Sequence, residues 1–307
     1  MRPSWRAGNC RGNVVKSPVS RTTFVGYDDR CVHVLEDHGM SDSATLLFEI
    51  EDGVAVLTLN RPSNGNALTP ELLVALEKAW NCVESDATVR AAIITGAGER
   101  HFCTGASVSA LQVGLGTLHN KSNAAVNRFS PRMCHVTKPV ICAVNGLVNG
   151  GGLHFVADSD IVIACAQAVF MDSHVSVGQV SALESIGIAR RAGLGAALLM
   201  GLAGRSYRMP AERAYQLGMI DLLEQSAADV MRRARELAGS IAANSPQAMA
   251  LTKRAIWTST EMLDPGAPEH GWELLKSHWS HPDFVEGPAA FAEKRLPRWN
   301  PDPNARR

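Results

Sequence analysis

Two glycine-rich segments carry the clearest chemical signal in the 307-residue chain. The first is His101-Phe102-Cys103-Thr104-Gly105-Ala106-Ser107, read as a loop after the apolar run AAIIT at 91–95. The second is Asn145-Gly146-Leu147-Val148-Asn149-Gly150-Gly151-Gly152, read as a loop after PVICAV at 139–144. Consecutive glycines let the backbone take positive φ and approach a ligand closely. The helix expected after the second loop leaves unpaired N–H groups at its start, where negative charge is favoured. Two such turns side by side can aim two N–H groups at one oxygen, which is an oxyanion hole. The same glycines also suit tight packing of a helix on a sheet, and the glycines alone leave both readings open. Neither loop has the GxGxxG spacing of a dinucleotide site. No GxSxG nucleophile elbow is present. His278 and His281 stand three apart, but no nearby Glu or Cys completes a zinc set, so no metal is expected.

The elements that must position these loops follow from periodicity. Apolar runs at 45–50 and 53–59 flank Glu51-Asp52-Gly53, a hairpin signal. Thr69 before Pro70, then Leu72, Leu73, Leu76 and Trp80, predicts an N-capped amphipathic helix to about Asp86. Short buried strands are expected at 91–95, 139–144 and 160–164, with a short helix over 153–158. Strand, helix, strand at this spacing is a βα unit of a parallel sheet. From 184 the pattern reads as wholly helical: 184–200, 210–217 with Pro210 at its first position, 227–243, 246–257, 272–279 and 283–294. The domains read are an α/β part, 44–183, a helical part, 184–300, and a disordered tail, 301–307. Residues 1–43 lack any period and are read as a disordered or non-native extension. They hold no apolar stretch of the roughly 7–15 residues that a secretory signal needs. Met40, just before the first strand pattern, is read as the natural start.

Thirty Lys+Arg balance thirty Asp+Glu. That neutrality argues against a nucleic-acid partner, whose domain is usually basic. No window reaches the roughly 18 uncharged apolar residues of a membrane helix. The seven cysteines are odd in number and form no CxxC, so they read as buried thiols of a cytoplasmic protein.

Four segments in order make the chain resemble a known family: LNRPSNGNAL at 59–68, TG followed by FCTGA at 95–106, KPVICAVNGLVNGGG at 138–152, and EGPAAFAEKRLP at 286–297. Together they resemble the crotonase superfamily, the enoyl-CoA hydratase/isomerase family, over about 44–299. The resemblance implies an α/β fold with a crotonase-like ββα spiral core and a C-terminal helical trimerisation region. It implies a homotrimer, or a hexamer made as a dimer of trimers. It implies an acyl-CoA substrate whose thioester enolate is held by two backbone N–H groups, here those of Ala106 and Gly151. No bound cofactor is implied; coenzyme A enters as part of the substrate. The implied cradle comprises Asn66, Ala67, Leu68, Gly105 and Gly150, with Phe291 and Lys294 on the CoA nucleotide, often of a neighbouring subunit.

The chain departs from the family where two catalytic glutamates usually stand. Both positions are histidine, His154 and His174. An imidazole near its ordinary pKa of about 6.5 reaches either protonation state near neutrality, so a split histidine pair can replace a carboxylate pair. Asp172 and Glu184 are placed to orient the rings. Ser107 replaces the usual Asp after the oxyanion Ala, and the usual Pro-Gly-x-Gly-Gly stretch is absent. Three functions stay open at this point. One is hydration or isomerisation of an enoyl-CoA. Another is retro-Claisen cleavage of a β-diketone or CoA thioester, which the segment Phe170-Met171-Asp172-Ser173-His174 resembles. The third is non-catalytic acyl-CoA binding.

Overall fold

The structure, a computed structural model, describes residues 21–23, 44–107, 128–260, 266–302 and 304–306. Met40, Cys10 and Cys31 lie outside the described residues. Strand β1 is Arg21–Thr23, β2 Leu46–Glu51 and β3 Val54–Leu59. The β2–β3 hairpin turns through Asp52 and Gly53, both at positive φ, as a tight two-residue turn requires. Strands β4 (Ala91–Gly96), β6 (Val140–Val144), β8 (Ile161–Cys165) and β11 (Leu222–Glu224) continue the sheet in parallel. The order is β1-β2-β3-β4-β6-β8-β11. β4 and β6 are buried along their whole length, which is why they read as unbroken apolar runs.

Each central strand then feeds a short strand of a second sheet. β5 (His101–Cys103), β7 (Leu147–Asn149) and β9 (Val169–Met171) follow β4, β6 and β8, and β10 (Met209–Pro210) closes the edge. This structural repeat leaves no sequence repeat, because the short strands share only burial and not residues. The two glycine-rich segments are therefore not wholly loops: β5 and β7 run through them and pair in parallel.

The helix Pro70–Ser85 starts as expected, with Thr69 Oγ1 accepting from Leu72 N at 3.3 Å and Pro70 at the first position. It buries Leu72, Leu76, Trp80 and Val83. The region after 184 is not wholly helical, since it supplies β10 and β11. The helix expected over 184–200 is two, Leu183–Ala192 and Leu194–Ala203, broken at Gly193, which sits at φ 85. Pro210 precedes its helix, Ala211–Gln216, as the cap residue and not the first helical position. Arg21–Thr23 pairs with β2, and the Asp302 carbonyl accepts from Nε2 of the buried His281 at 3.0 Å.

Candidate active site

Leu68 and Ala106 form an isolated parallel bridge. Leu68 N donates to Gly105 O at 2.9 Å, and Ser107 N donates to Leu68 O at 2.8 Å. In a parallel bridge the groups of the residue between those two partners point to the opposite side. The Ala106 N–H is thereby turned away from Leu68. Gly150–Gly152 forms a single 3-10 turn running into the helix Leu153–Asp158, which leaves the Gly151 N–H in an unpaired first turn. The two amides flank one small space. A Cβ placed on Gly151 would lie 3.7 Å from Ala106 N, and one placed on Gly105 would lie 3.1 Å from Gly151 N and 2.9 Å from Asn149 O. Gly105 also holds φ +87, which an L side chain rarely adopts. Glycine at 105 is thus what lets the loops approach.

The histidines converge on one carboxylate beside these loops. Nε2 of His174 is 3.2 Å from Glu184 Oε1, and Nε2 of His154 is 3.6 Å from Glu184 Oε2. A Cβ at Gly150 would meet the His174 ring at 3.4 Å, so this imidazole stands directly against the triple-glycine turn. Nδ1 of His174 donates to Asp172 Oδ1 at 2.7 Å. That bond leaves Nε2 as an acceptor in the neutral ring, facing another acceptor in ionised Glu184. A second proton must therefore sit on the His174–Glu184 pair for the contact to be favourable.

Asp172 is a buried hub. Burial works to raise its carboxyl, but hydrogen bonds from His174 and Ser181 outweigh this and hold it below the ordinary value. Its side chain is 1% exposed. The hydrogen bond to Asp172 raises the His174 imidazole above its usual value against the opposing pull of burial, and Glu184 adds in the same direction. Ser181 and Ser185 hydroxyls are 2.6 Å apart and both reach Asp172. On the other side, His154 Nδ1 faces Asp158 Oδ2 at 3.6 Å, and the Phe129 ring packs edge-on to His154 at 5.2 Å. Phe129 is held in turn, because Trp80 Nε1 donates to its carbonyl at 2.8 Å.

The other sequence-derived residues divide. The N–H groups of Asn66, Ala67 and Leu68 are all bonded inside the chain, so the backbone of this segment has only carbonyls left to offer a ligand. The Asn66 side chain is a staple: Nδ2 donates to Ala97 O and His101 O, and Oδ1 accepts from Arg61 N. Phe291 is 87% exposed, and Lys294 lies beyond the end of the helix Asp283–Ala292 at φ 54. Neither packs into the interior of its own chain. Within that last motif Glu286 and Arg295 form a two-pronged clamp, at 2.6 and 3.0 Å. Arg295 and the Arg298 N–H bring the Glu286 carboxyl down to about 2. Sequence reasoning missed Asp158, Ser181, Ser185 and Phe129. Asp158 had a signal, four residues after His154 on one helix; the two serines had none before the chain was folded. Burial pushes the Cys103 and Cys134 thiols up to about 12, so they are packing groups. Among the described residues no cluster of three or more metal-ligating side chains occurs, and no helix is long and apolar enough to cross a membrane.

The chain is similar to several known proteins. The profile of the Enoyl-CoA hydratase/isomerase family matches residues 49–302. The short-chain-enoyl-CoA hydratase of Clostridium acetobutylicum is 31% identical over 81% of this chain and 95% of its own. The 1,2-epoxyphenylacetyl-CoA isomerase of Escherichia coli is 33% identical over 83% of this chain and 97% of its own. Among solved structures, an enoyl-CoA hydratase/isomerase from Mycobacterium paratuberculosis superposes with a TM-score of 0.76 at 34% identity, covering 85% of this chain and all of that one. With the two-sheet core, the matched profile and these relatives in agreement, the chain is an enzyme of the enoyl-CoA hydratase/isomerase family, with the crotonase fold.

Proposed function

We propose that the chain acts on an acyl-CoA thioester by adding water across, or shifting, a double bond conjugated to the thioester carbonyl. The observation that carries this reading is Glu184 lying between the two Nε2 atoms, with the His174 ring against the triple-glycine turn. The printed names of the relatives, all enzymes of CoA thioesters, support the substrate class. In hydration the water oxygen bonds to Cβ while its proton passes to the His154–Glu184 pair. The electron pair of the double bond moves onto the thioester oxygen, which the Ala106 and Gly151 N–H groups receive. Donors fixed beforehand at developing negative charge are the largest single contribution such a site makes, about 10²–10³ in rate for one donor. The His174 imidazolium, held by Asp172, then gives its Nε2 proton to Cα. Glu184, touching both rings, returns a proton to His174 and resets the site. Isomerisation uses the same groups without water.

The Asp172–His174 hydrogen bond supports a second reading. A carboxylate-oriented imidazole is also a general base that can activate water against a ketone carbonyl, as retro-Claisen cleavage requires. Side-by-side assays of crotonyl-CoA hydration and β-diketone cleavage decide between them. Turnover of crotonyl-CoA alone supports the first reading, cleavage of the diketone alone the second. Saturable binding of CoA esters with neither activity contradicts both.

A further inference from the structure

The Asp172 carboxylate divides its two oxygens between different partners. Oδ1 accepts from His174 twice, from Nδ1 at 2.7 Å and from the backbone N–H at 3.0 Å. Oδ2 faces a pair of hydroxyls instead. Ser181 donates to it, Ser185 Oγ lies 3.4 Å from it, and the two hydroxyls are 2.6 Å apart. Each hydroxyl has one hydrogen, so with Ser181 donating to Asp172 the contact between the serines is a bond from Ser185 to Ser181. The connected groups run Ser185, Ser181, Asp172, His174, Glu184. Ser185 and Glu184 lie in the first turn of the helix Leu183–Ala192, and Ser181 just precedes it. One helix end therefore grips the Asp172–His174 pair from both sides. The helix Leu194–Ala203 backs the serines, since a Cβ on Gly201 would lie 3.4 Å from Ser185 Oγ. Among the described residues, the other charged group facing the pair is Glu184, at Nε2 of His174, with His154 behind it.

The reaction proposed above makes no use of these serines. We propose that Ser181, with Ser185 behind it, is a positioning residue that keeps the proton between Asp172 and His174 on Nδ1 and off the carboxylate. The inference rests on the reading of His174 as the acid that protonates Cα. The place of that proton decides whether the acid exists. With Nδ1 and Nε2 both protonated the ring is an imidazolium, which gives up its Nε2 proton near neutrality. If the Nδ1 proton crosses to Oδ1, the ring is a neutral imidazole whose Nε2–H is no useful acid. One proton moves across one hydrogen bond, and the net charge does not change. Burial of Asp172 favours that crossing, because it disfavours the charged carboxylate. Hydrogen bonds to the charged form oppose it, and the Ser181 bond goes to the oxygen that His174 leaves unused. A hydrogen bond to a charged group is strong enough to move such an equilibrium by about 10–100-fold.

The test is infrared spectroscopy of the full chain carrying isotope-labelled aspartate, in which the C=O stretch of a protonated carboxyl stands apart from carboxylate bands. The Asp172 band is identified by its absence from Asp172→Asn. At neutral pH the unmodified chain should show Asp172 ionised, and Ser181→Ala should show it protonated. In the same Ser181→Ala samples kcat on crotonyl-CoA should fall about tenfold or more, with the ester's binding constant little changed. Ser181→Thr, which restores the hydroxyl, should remove the band and recover most of the loss, and Ser185→Ala should fall between. A merely structural serine leaves Asp172 ionised in Ser181→Ala whatever happens to the rate, and that result overturns the proposal. So does parental turnover in Ser181→Ala. A protonated Asp172 in the unmodified chain at neutral pH also overturns it, and this measurement does not depend on any serine variant folding. Turnover retained by His174→Gln overturns the underlying reading of His174 instead, and does not alter the infrared result.

Discussion

Asp172 holds a proton on Nδ1 of His174 through a hydrogen bond of 2.7 Å, and in the proposed reaction this contact sets what Nε2 can do. Asp172→Asn keeps the shape but lets Nδ1 become an acceptor, so the other nitrogen no longer presents the same lone pair or proton. Turnover should fall by on the order of 10²–10⁴, the usual weight of a positioned acid–base group. The alkaline end of the pH profile should move down, because His174 acts as its imidazolium and its raised value derives chiefly from Asp172. Stability should respond as well. The His174 value is raised on folding, so its contribution is full below about 6.5 and is lost as pH rises through the folded value. The Asp172 value is lowered, so its contribution is present above about 3.9 and is lost as pH falls through the folded value. The pair therefore stabilises most in the acid-to-neutral interval between those limits. Thermal unfolding of Asp172→Asn across that interval should show a flatter pH dependence than the parent; an identical curve would contradict the assignment.

At the scale of elements, the site depends on two loops meeting at Gly105 and on a chain of packing from the first helix. Gly105→Ala puts a methyl 2.9 Å from Asn149 O at φ +87. It should cost about 1–3 kcal/mol in backbone strain and lower kcat by separating the Ala106 and Gly151 amides. Trp80→Phe removes the donor to the Phe129 carbonyl and leaves that oxygen buried and unpaired, a loss of about 1–3 kcal/mol read from denaturant midpoints. It should also loosen His154, against which Phe129 packs. Much of this layer was legible in sequence. Thr69-Pro70 marked a helix start, Asp52-Gly53 a hairpin turn, and the unbroken runs in β4 and β6 marked strands buried on both faces. The short strands β5, β7 and β9 were not legible, because three residues carry too little periodicity to stand out from a glycine-rich loop. β11 was missed for a different reason: Leu222–Glu224 is a strand through its pairing with β8, not through its own composition. The histidines were legible only as replacements for family glutamates, while the shared contact with Glu184 depends on a long-range approach that no spacing encodes.

Across the whole molecule, the helices Leu183–Ala192 and Leu194–Ala203 leave Ile186, Leu194, Leu198 and Leu202 facing outward, the last at 74% exposure. An apolar surface of this kind on a protomer marks an association face. We propose that copies of the chain meet there as a trimer or a pair of trimers, which also offers the exposed Phe291 and Lys294 a neighbouring site to reach. Leu198→Glu together with Leu202→Glu should shift light scattering from the trimer or hexamer mass to that of a single chain. A monomeric parent protein at micromolar concentration would contradict the assembly.

The central claim is that His154 and His174 transfer protons instead of filling space. His→Gln at each position keeps the size and a hydrogen-bonding amide while removing the titrating ring. The direct measurement is kcat for His154→Gln and His174→Gln on the turned-over CoA ester, with the ester's binding constant determined on the same samples. Both variants should lose most turnover, by at least about 10²-fold, while binding the ester as the parent does, since the backbone amides remain. Near-parental turnover in both Gln variants would mean that the imidazoles are structural and that another group moves the proton.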